Sequence, residues 1–330
     1  MGDELRVGLI GCGGLGSSHA KNVDEIQGAK LVSVCDFYRD SADRLAGELV
    51  GKPIAYSDPE EMLAKQNLDA VLIVTPNDTH RKISVDALSA GVHVFCEKPM
   101  ALTVADCDTM IDAAEEAEKY LMIGYVRRFQ EVYRQLKLRV ESGALGAVTM
   151  AHAVRLGMGP PGGKEGWQFK QERYGGLFSM YSHELDQLAW LAGEIISVQA
   201  MMKYGNDPDN DIEEHILMTL EFESGAIGSM NSSRRFPVSS YELGVAGTKG
   251  AIKLNTPSGP LVMREMGGKS VKIDVPKNNG LVEEISYFLD CVRRKVKPES
   301  NGYDGRRVVA VALAAHKSAE SGRREEVAIR

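Results

Sequence analysis

The sequence has no long hydrophobic segment. Apolar runs such as Ala70–Val74 fall far short of the roughly 20 residues that a membrane-spanning helix needs. The first residues, Met1-Gly2-Asp3-Glu4, lack the positive charge and the apolar core of a secretory signal. We therefore expect a protein that neither crosses a membrane nor carries an export signal.

Cysteine and positive charge are also scarce. The five cysteines, at positions 12, 35, 96, 107 and 291, show no CxxC spacing, so we expect reduced thiols in a cytoplasmic protein. The 39 lysines and arginines are outnumbered by 46 aspartates and glutamates, which gives a net charge of −7. Because there is no basic stripe for a phosphate backbone, the composition argues against nucleic acid as a main partner.

Several catalytic signatures are missing from the sequence. It contains no HExxH motif, no zinc-spaced Cys/His cluster, no Walker loop and no Gly-x-Ser-x-Gly elbow. The sequence therefore gives no indication of a metal site or of a serine nucleophile.

The 330 residues allow about two domains. In the first part, apolar strands alternate regularly with helices, which predicts a doubly wound parallel Rossmann sheet covered on both faces. The predicted strands are Leu5–Ile10, Lys30–Cys35, Ile54–Tyr56, Asp69–Val74, Val92–Cys96 and Leu121–Gly124. The predicted helices are Gly14–Ile26, Asp40–Leu49, Pro59–Gln66, Thr79–Ala90 and Ala105–Glu118.

The pattern changes after Arg127, where long alternating runs predict an α+β domain with a large, mostly antiparallel open sheet. The predicted strands are Val148–Leu156, Ile195–Tyr204, Glu214–Glu223, Ala226–Ser232 and Tyr241–Ala246. The predicted helices are Glu131–Val140, Phe178–Leu191, Val282–Arg293 and Gly305–Ala319. We place the domains at residues 1–125 and 126–330, and expect the last helix, about 305–319, to pack back toward the first domain. Residues 157–166, rich in glycine and proline, are predicted to form a surface loop or a lid.

The stretch VGLIGCGGLGSSHA carries Gly11, Gly13 and Gly16 in a GxGxxG array. The array follows a predicted strand and opens a helix within a βαβ unit, as a dinucleotide site requires. Gly11 would permit a tight turn, Gly13 the close approach of a pyrophosphate, and Gly16 close packing of helix on strand. Gly14 and Leu15, at the start of the helix, belong to the same candidate cofactor site.

Asp36 ends the second predicted strand, 20 residues after Gly16. An acid at this position accepts hydrogen bonds from the adenosine ribose and repels a 2′-phosphate, so NAD is favoured over NADP. Arg39 lies close enough either to bind such a phosphate or to be a solvated charge.

Two further strands end in polar residues at the edge where open α/β sheets bind ligands. After the fourth strand come Thr75, Asn77 and His80, which we count as candidate cofactor-binding residues; a first-turn helix position also explains His80. After the fifth strand comes Glu97-Lys98-Pro99.

Lys98 is a candidate for both catalysis and cofactor binding. A lysine beside a nicotinamide can hydrogen-bond a substrate hydroxyl and stabilise its alkoxide character as hydride leaves. Glu97, which we also count as a candidate cofactor-binding residue, would hold the ammonium or tune its pKa, and a cis Lys98–Pro99 bond is one way to aim the side chain inward. A surface lysine at a strand end explains the pattern equally well.

These motifs are similar to those of a known family. The glycine array, TPNDTH, EKP, GYVRRF and GGLFSMYSHELDQLAWLAGE occur in the order found in Gfo/Idh/MocA proteins, the glucose–fructose oxidoreductase and inositol dehydrogenase-like enzymes. The resemblance covers nearly the whole chain, and GYVRRFQEVYRQLK looks especially like the inositol-dehydrogenase branch. It implies an NAD(P)-dependent enzyme that acts on a sugar, cyclitol or similar polyol with Lys98 as a catalytic group.

The helix in GGLFSMYSHELDQLAWLAGE is predicted to be amphipathic, with one face packed on the sheet. The other face would carry His183, Asp186, Gln187 and Trp190. His183 is a candidate general base for the substrate hydroxyl, and Asp186 would orient that hydroxyl or the imidazole. Solvated polar residues on a helix are the alternative interpretation.

The resemblance is incomplete at one catalytic position. Dehydrogenases of the family often have aspartate four residues before this histidine, where the present sequence has Ser179. A serine hydroxyl can hydrogen-bond a substrate but carries no charge. Arg127 and Arg128 follow the last predicted Rossmann strand; we take Arg127 as a candidate for substrate contact and expect Arg128 to form a salt bridge at the domain interface. Trp167 could line a sugar site or be an ordinary core or dimer residue.

Three functions are compatible with these motifs. The first is a dehydrogenase for a secondary alcohol of a sugar or inositol-like polyol. The second retains NAD and uses it transiently for oxidation, elimination and reduction, as glycosidase or dehydratase relatives do. The third is a non-catalytic sugar or NAD sensor. The resemblance also implies a homodimer or homotetramer.

Overall fold

The computed structural model describes residues 4–159, 166–205 and 212–329. The chain divides into two compact units, each treated by itself. The first contains the chain up to Val126 together with Asn279–Arg306, and the second contains Arg127–Asn278 and the residues from Arg307 onward. Most of the predicted loop at 157–166 lies outside the described residues.

The strands are β1 Leu5–Ile10, β2 Ala29–Cys35, β3 Ile54–Tyr56, β4 Ala70–Ile73, β5 His93–Glu97, β6 Leu121–Gly124, β7 Val148–Met158, β8 Ile195–Tyr204, β9 Glu213–Phe222, β10 Ile227–Ser233, β11 Arg235–Gly247, β12 Gly250–Leu254, β13 Leu261–Glu265, β14 Val271–Ile273 and β15 Glu325–Glu326. The helices are α1 Gly14–Asp24, α2 Arg39–Glu48, α3 Pro59–Lys65, α4 His80–Ser89, α5 Val104–Glu116, α6 Glu131–Glu141, α7 Gln171–Tyr174, α8 Leu177–Ala192, α9 Gly280–Arg294 and α10 Gly302–Ser321.

The first unit is built on a six-stranded parallel sheet in the order β3-β2-β1-β4-β5-β6. Its central strand β4 is apolar along its whole length, and all of Ala70–Ile73 is buried. Such strands need helices on both faces of the sheet, because neither face can be left in water. The predicted doubly wound Rossmann fold is confirmed.

Helix α9 belongs to this first unit, although the sequence prediction divided the chain only once, near residue 125. It packs on α1, and the guanidinium of Arg293 donates a hydrogen bond to the carbonyl of Gly28 (3.1 Å). Helix α10 begins in the first unit, and its residues from Arg307 are grouped with the second. The sequence before α9 gives no local signal of this return.

The second unit contains a nine-stranded sheet in the order β14-β13-β12-β11-β7-β10-β9-β8-β15. All neighbouring pairs are antiparallel except β7 and β10, so the predicted mostly antiparallel sheet is confirmed. Helix α8 packs against β7, β9 and β10. The short strands β12 to β15 were not predicted, because two to five residues give too few alternations to reveal a period of two.

Candidate functional site

The predicted cofactor-binding residues follow strands that end at the same level of the first sheet. Ile10 of β1 pairs in register with Cys35 of β2 and with Ile73 of β4, and Ile73 pairs with Cys96 of β5. The residues that follow these strands therefore share the carboxyl edge of the sheet. This is the edge at which open α/β sheets bind their ligands.

The glycine turn has two packed positions and two open ones. Gly11 has a φ of 101°, and a Cβ there or on Gly16 would collide with a backbone carbonyl oxygen. A Cβ on Gly13 or Gly14 would meet no described atom within 4 Å. Helix α1 begins at this open side without a capping side chain, and Leu15 is partly exposed beside it. This arrangement suits the close approach of a pyrophosphate to free N–H groups.

Asp36 is fixed beside the glycine turn by two backbone donors. Its carboxylate accepts hydrogen bonds from the N–H of Cys12 (2.8 Å) and from the N–H of Tyr38 (2.9 Å). Arg39 is exposed and pairs with Asp43 at 3.0 Å on the same helix. Burial raises the pKa of the Cys12 thiol to about 12, so this cysteine is a neutral packing group rather than a thiolate.

His80 connects the turn after β4 with the turn after β5. The fully buried ring lies 3.0 Å from the carbonyl oxygen of Thr75 and 2.9 Å from that of Pro99. Burial lowers the pKa of His80, so the neutral ring donates to one of these carbonyls at a time. Asn77 is also buried, within a 3-10 turn that precedes α4.

Lys98 is half-buried and follows β5, and the Lys98–Pro99 peptide bond is cis. The carboxylate of Glu97 accepts a hydrogen bond from the N–H of Lys98 (3.2 Å). The other carboxylate oxygen of Glu97 lies 2.9 Å from Nε2 of His19. Glu97 therefore contacts the backbone of Lys98 on one side and a buried imidazole on the other.

Glu284 of α9 completes a buried group that the sequence did not reveal. One ligand-type atom from each of His19, Glu97 and Glu284 lies within 4.8 Å of the other two, and all three residues are buried. The one local signal is the position of His19 on α1, three residues after Gly16. His19 and Glu97 are close enough to share a proton, and one atom from each of the three side chains is close enough to the others to ligate one cation.

Helix α8 of the second unit carries the candidate base. Non-helical angles at Tyr181 divide the helix, and His183 lies half-buried in the turn that follows. The alternative interpretation, a solvated polar face on α8, is wrong, because Asp186 and Gln187 are as buried as Leu185 and Leu188. Asp186 meets the guanidinium of Arg128 rather than water.

Arg127 and Arg155 share one carboxylate, that of Glu184. The guanidinium of Arg127 lies 2.6 Å from it, and that of Arg155 lies 3.3 Å away. Arg127 also lies 5.4 Å from the ring centres of both Tyr133 and Tyr241. Glu184 follows His183 directly, and no periodic pattern distinguishes it from a solvated acid.

Arg128 has a carboxylate of its own. It pairs with Asp186 (2.5 Å) and lies 5.6 Å from the ring centre of Trp190. The salt bridge predicted for Arg128 at the domain interface lies instead within the second unit. Asp186, a candidate for orienting substrate or imidazole, is held by this arginine.

Ser179 and Trp167 lie near Tyr174 in the second unit. The buried hydroxyl of Ser179 donates a hydrogen bond to the carbonyl of Tyr174. Trp167 is half-buried and meets the Tyr174 ring edge-on, with 5.5 Å between centres.

A doubly wound sheet with this glycine turn and this acid defines an NAD-binding Rossmann protein, here combined with an α+β unit. Residues 5–125 match the model of the oxidoreductase family with an NAD-binding Rossmann fold. Residues 133–253 match the GFO/IDH/MocA C-terminal domain. The chain belongs to the Gfo/Idh/MocA oxidoreductase family.

Three curated relatives are similar over most of their length. The myo-inositol 2-dehydrogenase of Thermotoga maritima is 30% identical, with 97% of each chain covered. The scyllo-inositol 2-dehydrogenase (NAD(+)) of Bacillus subtilis is 30% identical, with 98% of this chain and 96% of its own covered. The 2,7-anhydro-N-acetylneuraminate hydratase of Escherichia coli is 28% identical, with 88% of this chain and 76% of its own covered.

Within the described ranges, no helix combines the length and the apolar character that crossing a bilayer demands.

Proposed function

We propose that the protein is an NAD-dependent oxidoreductase that transfers hydride between a secondary alcohol of a sugar or cyclitol and nicotinamide. The observation that carries this proposal is the common edge of the first sheet, where the open glycine turn, Asp36 and the Glu97-Lys98 turn follow neighbouring strands. Both inositol dehydrogenase relatives support a polyol as substrate.

The preference for NAD over NADP rests on Asp36. Its carboxylate is oriented by the N–H groups of Cys12 and Tyr38, which hold it in place as an acceptor for ribose hydroxyls. Arg39 has Asp43 as its partner, so its charge is already balanced without a phosphate. When bound, the nicotinamide supplies the hydride acceptor or donor.

Lys98 and His183 are proposed as the acid/base groups. Lys98 would hydrogen-bond the reacting hydroxyl, and His183 would take its proton as the alcohol is oxidised. We assign Ser179 and Asp186 to positioning, since each already contacts another group of the second unit. Arg127 is assigned to holding Glu184 beside His183, and Trp167 to an apolar face of the sugar.

Absorbance at 340 nm tests this proposal directly. The protein is mixed with NAD and a panel of inositols, aldoses and their neutral derivatives. NADH formed in step with product supports the dehydrogenase. If the protein binds NAD and a sugar but converts none of the panel, a sensor is the better description and the proposal fails.

A second candidate is oxidation, elimination and re-reduction with NAD regenerated in each cycle. The hydratase relative and the neutral Ser179 favour it, because loss of a carboxylate at this position alters the proton route of a simple dehydrogenase. Product would then appear without NADH accumulating. A substrate deuterated at the oxidised carbon would separate the two, since the transient route returns the label to the product.

We also propose that the protein is a homodimer or homotetramer and is cytoplasmic. Met201 and Leu217 are paired neighbours on β8 and β9, and both are more than half exposed on the sheet face opposite buried Ile216 and Met218. An exposed apolar sheet surface favours association. Leu217→Arg should reduce the mass measured by light scattering if this face is the interface.

The proposal of a cytoplasmic location rests on the cysteines. All five are unpaired, as a reducing compartment requires.

A further inference from the structure

Arg234, between β10 and β11, is a buried cation without an ion-pair partner among the described residues. The residue is 3% exposed. Its backbone is fixed at both ends: its N–H donates to the carbonyl of Glu214 (3.0 Å), and its carbonyl accepts from the N–H of Gly159 (2.7 Å). Its side-chain nitrogen Nη1 is buried and has no hydrogen-bond partner in the part of the chain that the structure describes.

The other buried arginines of this unit are different. Arg127 has Glu184 at 2.6 Å, and Arg128 has Asp186 at 2.5 Å. The contact that the guanidinium of Arg234 does make is with the ring of Phe169, 4.6 Å from its centre. A cation–π contact offsets only part of the desolvation cost of a buried charge. Because arginine does not lose its proton in proteins, it cannot avoid this cost by becoming neutral.

The carboxylate whose charge acts on Arg234 already has another partner, because Glu214 pairs with Arg235 at 2.7 Å. Arg155 of β7 has only a share of Glu184, which also serves Arg127. The phenols of Tyr174 and Tyr181 interact electrostatically with both Arg155 and Arg234. Burial raises the pKa of Tyr174 to about 12, so this phenol is neutral and does not compensate the arginines.

Aromatic rings surround the two arginines. The guanidinium of Arg155 lies 5.4 Å from the ring centre of Tyr181, whose hydroxyl donates to the carbonyl of Ser233 next to Arg234 (2.5 Å). Trp167 stands edge-on to Tyr174, and Phe169 lies under Arg234. The side chain of Arg155 is 36% exposed, so the cluster reaches the surface on that side. Aromatic rings next to guanidinium groups suit a ligand that has both apolar C–H faces and an anionic oxygen group.

We propose that Arg234, together with Arg155, binds the carboxylate of an anionic sugar or polyol acid, which is the substrate class of this protein. The planar guanidinium donates two parallel hydrogen bonds to a carboxylate, and the rings pack on the carbon skeleton. This inference rests on the proposed function, because it names the substrate of that activity. The acid would supply the counter-charge that the described residues leave out.

Two variants at neighbouring positions test the inference. Arg234→Met removes the buried charge and keeps much of the side-chain volume. Arg235→Met removes an exposed charge that pairs with Glu214 at 2.7 Å and serves as the matched control. Binding to the NAD-loaded protein is measured by calorimetry with D-glucuronate, D-galacturonate, D-gluconate and N-acetylneuraminate, each beside a neutral counterpart such as D-glucose or myo-inositol, and with D-glucose 6-phosphate.

We expect at least one acid to bind the wild-type protein about tenfold or more tightly than its neutral counterpart, the scale of one charge-assisted hydrogen bond. Arg234→Met should abolish this preference, and Arg235→Met should keep it. Without ligand, Arg234→Met should have a Tm equal to or above that of the wild type, because a buried charge without a partner destabilises the fold. A purely structural arginine would instead lower Tm when replaced.

The inference is overturned if neutral sugars bind as tightly as their acids, if only the phosphate ester binds, or if Arg234→Met lowers Tm and leaves the acid preference intact. These outcomes are independent of hydride transfer. Oxidation of neutral inositols without acid binding would reject the inference and keep the proposed function. If the acids bind, Arg234→Met abolishes this binding, and no substrate is turned over, the inference stands and the proposed function is rejected.

Discussion

The imidazole of His19 lies 2.9 Å from the carboxylate of Glu97, and both groups are buried. The helix after the glycine turn is thereby joined to the strand end that carries Lys98, whose N–H donates to the same carboxylate. Glu284 of α9 approaches this pair, and neither of its carboxyl oxygens has a hydrogen-bond partner among residues 4–159, 166–205 and 212–329. Two acids beside one imidazole cannot all be charged at low cost in a dry site.

Glu284 should therefore make stability fall with rising pH. Burial first, and the charge of Glu97 second, raise the pKa of Glu284 well above its ordinary value. The folded state then holds a proton that the unfolded state has released, and this contribution is lost as pH rises from about 4.3 to the folded pKa. Urea unfolding between pH 5 and 8 measures this effect. The free energy of unfolding of a Glu284→Gln variant, relative to that of the wild type, should increase by up to about 1.4 kcal/mol per pH unit.

Glu283→Gln is the control for this measurement, because Glu283 is the less buried neighbour on the same helix. It should follow the wild-type pH dependence. Parallel curves for wild type and Glu284→Gln would mean that Glu284 is charged in the folded state. Metal analysis then decides between the two: a stoichiometric cation that is lost in Glu284→Gln would mean that a metal ion, not a proton on Glu284, neutralises the group.

Lys98→Met should lower turnover by about 100-fold or more, the usual effect of losing a positioned acid/base group. Affinity for NAD should change little, since the glycine turn and Asp36 are untouched. Lys82→Met is the matched control: Lys82 is exposed on α4 and pairs with Glu60 and Asp86. Steady-state rates and NAD titration check both, and normal turnover in Lys98→Met would remove this lysine from the mechanism.

Two glycine variants should separate cofactor binding from folding. Gly13→Val places a side chain in the open space at the start of α1, so NAD affinity should fall by about tenfold or more while Tm stays close to the wild type. Gly16→Ala forces a Cβ against the carbonyl of Gly11, which should cost about 1–3 kcal/mol of stability. NAD titration and thermal unfolding measure the two effects. Unchanged NAD binding in Gly13→Val would place the pyrophosphate elsewhere.

Asp36→Ala should move the cofactor preference toward NADP. The variant loses the ribose acceptor and the repulsion of a 2′-phosphate, so the ratio of NAD to NADP affinity should fall by about tenfold or more. Asp40→Ala, an exposed acid at the start of α2, is the control and should keep the wild-type ratio. Fluorescence titration with both reduced cofactors provides the measurement. A ratio that Asp36→Ala does not change would assign the selectivity to another residue.

The sequence by itself determined the Rossmann sheet, the glycine turn and the family. Strands such as Ala70–Ile73 are readable because a strand buried on both faces is apolar at every position. The glycine turn is readable because much of its constraint is local: a Cβ on Gly16 would meet the carbonyl of Gly11 in the same turn, and Gly11 itself has a positive φ. The order of such motifs along the chain also carried the resemblance to the Gfo/Idh/MocA proteins.

Only the tertiary structure decided which charges have partners. Glu284 comes beside Glu97 from a distant part of the chain, Glu184 is shared by arginines from two other segments, and Arg234 has none of the described carboxylates as an ion-pair partner. In the sequence each of these is an ordinary charged residue, because the pattern of residues around it does not report long-range contacts. Burial then changes what each can do, since a charge that costs little in water must find a proton, a partner or a ligand inside the protein.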